Sequence, residues 1–246
     1  MLFAIGAGPQ VVGVSSYDTF PAEVKALPRV GALLDPDTER ILSLRPDLVI
    51  TYGSQSNVET QFARAGIRTY SYRHGGIDTI RQSLRELAML TDHRAEGERV
   101  GRDLQARLDA VRARIRGRAR PRTVLVFEHE PHTLRGMYVS GGVGFLHEML
   151  EIAGGQNVFA EVKRESVQPS LETLIARAPE VIVEIRANPP QDIDAERRAW
   201  LTLTTVPAVR AGRIHFLAGE YLVVPGPRVP QGVEALARAL HPDLFR

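Results

Sequence analysis

Apolar positions in this chain follow two rhythms, short continuous runs and stretches spaced by threes and fours, and one pairing of the two is written twice. Residues 48–50 (LVI) follow Pro46 and Asp47, and residues 181–183 (VIV) follow Pro179 and Glu180. Ahead of each run lies a short helical pattern opened by Asp37 or Ser170, with an acid two positions on, Glu39 or Glu172. Asp and Ser accept bonds from the free backbone donors of a new helix, and the helix dipole favours an acid in its first turn. The residue before a proline is pushed out of the helical region, so each helix lasts about two turns. The apolar run beyond the breaker predicts a buried parallel strand in both copies. A unit repeated at this separation predicts two lobes of similar α/β construction.

Between and around the copies the same alternation continues. Residues 11–15 predict a strand that delivers Tyr17 to a loop, and MLFAIGAG at the start reads as the tail of a helix. Residues 56–65 predict a helix, residues 67–72 a strand ending at Arg73, His74 and a Gly-Gly turn, and residues 78–90 a second helix with Ile80, Leu84 and Leu87 on one face. From 92 to 116, Val100, Leu104, Leu108, Val111 and Ile115 share one face of a single long helix, which spans roughly 37 Å. Strands are predicted again at 123–127 and 214–217, and helices at 145–153, stopped by Gly154-Gly155, and at 233–240. Strands alternating with helices argue for mostly parallel sheets.

Composition narrows the function more than the fold. At 246 residues the chain suits one large α/β domain or two lobes of roughly a hundred residues each. Lys and Arg number 31 against 29 acids, too even a balance for a nucleic-acid binder. Only Lys25 and Lys163 are lysines, which leaves little for Schiff-base chemistry. There is no cysteine, so disulfides, thiolate nucleophiles and Cys-ligated zinc are excluded. No apolar run is long enough for a membrane-spanning helix, and the N-terminus lacks the basic start of a signal peptide.

Five motifs, VVGVSSYDTFP (11–21), ERILSLRPDLVI (39–50), LHEMLEIAGGQNVF (146–159), LETLIARAPEVIV (171–183) and VPAVRAGRIHF (206–216), carry a family resemblance over nearly the whole chain. In this order they resemble the substrate-binding proteins of bacterial ABC importers for cobalamin and ferric siderophores, the type with a helical backbone. The phrase GVSSY (13–17) brings the chain nearest the cobalamin-binding branch. The resemblance implies an N-terminal α/β lobe over 1–91 lacking the family's first strand, a backbone helix over 92–117, a C-terminal α/β lobe over 118–246, and a ligand held between the lobes. It also implies a monomer outside the cytoplasm, in the periplasm or at the cell surface, with an ABC permease dimer as partner and no catalytic activity. Aromatic cleft positions of the cobalamin binder fall here on Leu33 and near Ser166.

Matched to the family, Glu39 and Glu172 are the two docking glutamates that meet permease arginines. As plain first-turn acids they contribute about 0.3–1 kcal/mol each to their helices. Tyr17, Tyr52, Tyr138 and Tyr221 follow strands or sit in loops beside them, where open α/β sheets bind ligands. Rings with a polar tip suit a large, flat, amphipathic ligand. Arg73, His74, Arg186 and Arg228 are placed to meet amide, phosphate or chelate oxygens, or else to lie solvated. The EHEPH cluster (128–132) offers His129 as a polar cleft group. Its metal-ligating chemistry lacks a third histidine at fixed spacing, and no metal is expected. Residues 141–144, glycine-rich before a helix, have the look of an anion cradle without a dinucleotide fingerprint, and Trp200 is read as packing. The expected ligand is a cobalt corrinoid, small and metal-chelating, and no separate cofactor is implied. The alternatives are a ferric siderophore or haem on the same fold, a binder of this fold confined to the cytoplasm, and an α/β metal-dependent enzyme built on EHEPH.

Overall fold

The computed structural model describes residues 1–53 and 55–245. Packing divides the chain into two compact units: Met1–His74 with Gln82–Val100, and Gly75–Arg81 with Gly101–Arg246. The sequence set its boundaries at the two ends of the long helix, whereas the packing divides the chain inside that helix.

The first unit is organised around two parallel strands, β1 (Leu48–Tyr52) and β2 (Arg68–Tyr72), in register from Leu48 opposite Arg68 to Tyr52 opposite Tyr72. Helix α1 (Thr38–Ser43) precedes β1, and Asp37 caps it by accepting the Arg40 amide at 2.9 Å. Helix α2 (Ser56–Arg64) connects the strands and buries Phe62 completely. The buried strand expected after Pro46 is corrected: among the described residues β1 pairs only with β2, and Ile50 stays 39% exposed. Residues 11–15 form no strand either. They make one isolated bridge, Val14 to Arg29, because the neighbouring segment carries Pro28, which has no amide to extend a ladder. The N-terminal helix tail is one short 3-10 turn, Leu2–Ile5, closed by Gly6.

Two helices follow, α3 (Ile77–Leu90) and α4 (Arg94–Arg114). The turn between them passes through Asp92 at φ 61, and Gly117 at φ 76 lies in the turn after α4, which is two residues shorter at each end than the apolar spacing predicts. Within the first unit they pack closely: a side-chain carbon at Gly97 would run into Ala88. In the second unit α4 is tied by Arg107, whose Nε and Nη2 donate to Glu234 at 3.1 and 2.8 Å.

The second unit holds a mixed sheet built from β3 (Arg122–Glu128), β4 (Tyr138–Ser140), β5 (Gln156–Asn157), β6 (Ser166–Val167), β7 (Val181–Arg186) and β8 (Ile214–Ala218). The order is β6-β4-β3-β7-β8, with β5 beside the start of β3. β3, β7 and β8 are parallel, whereas β4 runs antiparallel to both β3 and β6. Here the second repeat copy is buried as expected, all of β7 except Arg186 being enclosed. Around the sheet lie α5 (Phe145–Ile152), α6 (Leu171–Arg177), α7 (Ile193–Leu201), α8 (Pro207–Arg210), α9 (Glu220–Val223) and α10 (Val229–Leu240). Ser170 caps α6 through the Thr173 amide, and α10 starts four residues earlier than its apolar face suggests, with Pro230 in the first turn where no amide is needed. Trp200, Phe159, Leu174, Ile182 and Val206 fill one core, with Val124 and Val126. This architecture is α/β, with parallel-rich sheets and flanking helices.

Candidate functional site

Parallel strands end together, and in the first unit that places aromatic residues side by side. The last residues of β1 and β2 are the register pair Tyr52 and Tyr72, with ring centroids 6.4 Å apart. Two residues beyond β2, His74 meets both rings edge-on, at 5.0 Å from Tyr52 and 5.7 Å from Tyr72. The backbone beneath is held by Gln55, which accepts from the Tyr52 amide at 2.9 Å and donates to the Leu33 carbonyl at 3.0 Å. Arg73, exposed, lies beside Gly53. Tyr52, Arg73 and His74 are thus brought together, whereas Tyr17, 83% exposed, has no ring contact with them among the described residues. The sequence reading missed Tyr72, although counting from the end of β1 to the end of β2 pairs it with Tyr52.

The second unit gathers its candidates at one end of the sheet. Tyr138 begins β4 opposite Glu128, its ring 6.2 Å from Phe127, and so belongs to a strand rather than to a loop. Arg186 ends β7, and its carbonyl accepts the Gly219 amide at 2.9 Å, which sets α9 with Tyr221 directly beyond β8. The Tyr221 hydroxyl donates to the Ala218 carbonyl at 3.4 Å. Arg228, at the N-terminus of α10, donates to Glu220 at 2.9 Å. Tyr138, Arg186, Tyr221 and Arg228 therefore share the C-terminal end of the parallel strands, where ligands bind open α/β sheets.

Beneath Arg186 lies an ionic knot with no counterpart in the motifs. Glu184, buried, accepts from Arg186 Nε at 2.7 Å on one oxygen, and its other oxygen accepts from the Trp200 indole at 3.0 Å and lies 3.0 Å from His129 Nε2. Glu196 on α7 lies 3.5 Å from Arg186 and 3.8 Å from His129 and accepts the His132 amide at 3.3 Å. His129 donates from Nδ1 to the Glu130 carbonyl at 2.9 Å. Its Nε2 therefore has two modes: neutral, it accepts from Arg186 at 3.0 Å; protonated, it donates to Glu184. Burial alone would lower the pKa of His129, but the Glu184 carboxylate and the Glu130 carbonyl raise it above the ordinary histidine value. Burial acts on Glu184 in the raising direction, and its donors His129, Trp200 and Arg186 overcome that and hold it low.

Geometrically His129, Glu184 and Glu196 could hold a divalent ion, their donor atoms lying within 4.8 Å of one another. The knot already carries its own cation, since the Arg186 guanidinium sits on both carboxylates, and a metal would have to displace it. What the cluster does chemically is fix Arg186. His129, half of the EHEPH motif's promise, is 6% exposed and acts from below the surface.

The glycine-rich stretch is not an anion cradle. The Gly141 and Gly142 amides already donate to the Glu165 and Val162 carbonyls at 3.0 and 2.8 Å, and side chains there would strike the backbone of Arg164 and Ala160. Asn157 locks the loop by donating to the Gly141 carbonyl at 2.8 Å. Trp200 is fully buried, as read.

Glu39 and Glu172 lie exposed in the first turns of α1 and α6. The carboxyl of Glu172 is held below the usual range by its own backbone amide first and by the Ser170 hydroxyl second.

Known proteins resemble this chain along nearly its full length. The vitamin B12-binding protein of Salmonella paratyphi A is 27% identical over 239 residues, covering 96% of this chain and 85% of that protein. A periplasmic haem-binding protein from Roseiflexus sp. RS-1, solved without ligand, is 28% identical and superposes with a TM-score of 0.80 over 100% of this chain and 93% of that one. The periplasmic vitamin B12-binding protein of Vibrio cholerae, at 23% identity, shares the fold with a TM-score of 0.80 over 100% of this chain and 94% of that one. The family model described as periplasmic binding protein matches residues 1–221, which takes in the first strand-end cluster, all of the second except Arg228, and both first-turn glutamates, and the chain belongs to that family.

Proposed function

We propose that this protein is the ligand-capturing component of an ABC importer, outside the cytoplasm, and that its ligand is a corrinoid. The observation that carries the reading is the three-ring cluster of Tyr52, Tyr72 and His74 at the ends of β1 and β2. A corrinoid is a broad macrocycle with amide arms, and it asks for aromatic walls and hydrogen-bonding tips rather than a high charge. Tyr138 and Tyr221 supply further rings in the second unit, and Arg186 and Arg228, both already paired with carboxylates, supply donors of reduced net charge. The relatives named for vitamin B12 support the same choice. Glu39 and Glu172, one in each unit, are assigned to docking on the permease, because repeated capped acids suit a two-fold partner.

Haem is the second reading, favoured by one specific feature: Tyr52, Tyr72 and His74 are phenol and imidazole groups able to ligate iron. Relatives described as binding haem stand at similar identity. Titrating the purified protein with cyanocobalamin and with haem separates the two readings, and binding of neither removes both.

A further inference from the structure

At the other end of β3 from the strand-end residues, the second unit has a cavity of about 390 Å³ for which the corrinoid reading has no use. The seven residues of β3 put roughly 20 Å between them. Its walls come from the end of α4 and the turn after it, the end of α5, and His241 just beyond α10. Four guanidiniums, Arg112, Arg116, Arg118 and Arg120, face it against one lining carboxylate, Glu151.

Three of the four are spoken for. Arg120 is held by the Glu151 carboxylate and by the Gly155 carbonyl at 2.7 Å, Arg112 by Asp109 at 2.8 Å, and Arg118 by Asp243 at 3.7 Å. The Arg116 side chain has no partner among the described residues. At the back of the cavity His241 is 7% exposed, and its Nε2 makes no hydrogen bond. Gly154, at φ +87, keeps the approach open, since a side-chain carbon there would lie 2.6 Å from that nitrogen. A buried ring nitrogen without a partner, behind an unoccupied guanidinium, leaves two polar groups that one acceptor with several oxygens meets once the ring is protonated.

The geometry points to a second binding site here, for a phosphate group carried on a larger molecule, with Arg116 and His241 as its principal contacts and Arg112 and Arg118 at its rim. A tetrahedral oxyanion offers enough lone pairs to meet planar guanidiniums and an imidazole at once. The volume lies in the range of small-molecule pockets and exceeds what one phosphate group fills. Burial first, and then the charges of Arg213 and Arg118, keep His241 below the ordinary histidine range against the opposing pull of Gly154 and Asp243, so a bound dianion would draw a proton onto the ring.

The full chain is titrated with inorganic phosphate at constant ionic strength, chloride being the control, while the His241 imidazole resonances are followed by NMR. A saturable shift with phosphate alone is expected. Arg116→Gln, an exposed change that leaves folding intact, should weaken it about tenfold, the loss of one charge-assisted bond. His241→Gln, with calorimetric heat as the signal, should weaken it comparably. Co-sedimentation with phosphatidylglycerol vesicles against phosphatidylcholine vesicles identifies the source. Vesicle binding lost in Arg116→Gln assigns a lipid headgroup, and phosphate binding without vesicle binding assigns a soluble phosphate compound. Absence of a saturable shift, or unchanged phosphate affinity in Arg116→Gln, overturns the site.

Discussion

Trp200 donates its indole hydrogen to Glu184 at 3.0 Å, and both residues are shut away from solvent at the base of Arg186. A core tryptophan thus completes a buried carboxylate whose other donors point toward the strand ends. Trp200→Phe keeps most of the apolar volume and deletes this bond, so it should destabilise the protein by about 1.5–3 kcal/mol. Urea denaturation measures this, and an unchanged midpoint would show that the bond contributes nothing.

The knot also makes stability depend on pH, with opposite signs for its two titrating members. His129 has a raised folded pKa, so its contribution is fully present below the unfolded value of about 6.5 and is lost as pH rises through the folded pKa. Glu184 has a lowered folded pKa, so its contribution is present above about 4.5 and disappears as pH falls through the folded pKa. His215 and His241 are lowered by burial first and by nearby arginines, and they oppose His129 by losing stability as pH falls below about 6.5. The clean observable is therefore a difference. His129→Asn should cost more stability at pH 5.5 than at pH 8, and the reverse order in paired denaturation curves contradicts the assignment.

Local chemistry was easy to read in the sequence, and cross-chain chemistry was not. Asp37 and Ser170 announced the caps of α1 and α6, and Pro46 and Pro179 announced the ends of those helices, because these effects act over a few residues. Burial of the following strands needed to know their neighbours: β7 lies between β3 and β8, whereas β1 has only β2, and the two runs look alike in sequence. At the candidate site Tyr52 and His74 were visible as strand-end residues. Glu184 was hidden at the end of an apolar run, and nothing near Glu196 in the sequence singled it out before α7 brought it against His129.

If Glu39 and Glu172 dock the protein on its permease, reversing both to Arg should abolish uptake in reconstituted vesicles while leaving ligand affinity unchanged, since like charges then meet at the interface. Both side chains are exposed, so folding should be unaffected. Weakened ligand binding in the double variant would place these acids at the ligand instead.

The ring cluster distinguishes stacking from iron ligation. Under the corrinoid reading Tyr52→Phe keeps the wall and should hold affinity within about twofold, whereas Tyr52→Ala should lose about tenfold. If the phenol oxygen is an iron ligand, Tyr52→Phe is as damaging as Tyr52→Ala in a haem titration followed by its absorption spectrum.

Calorimetric titration of the purified chain with cyanocobalamin, haem and a ferric catechol siderophore, each at two salt concentrations, tests the central claim most directly. The account predicts micromolar or tighter binding of the corrinoid with little dependence on salt, because aromatic walls and paired arginines present little net charge to be screened. Binding of the anionic chelate alone, weakening steeply as salt is added, would contradict it.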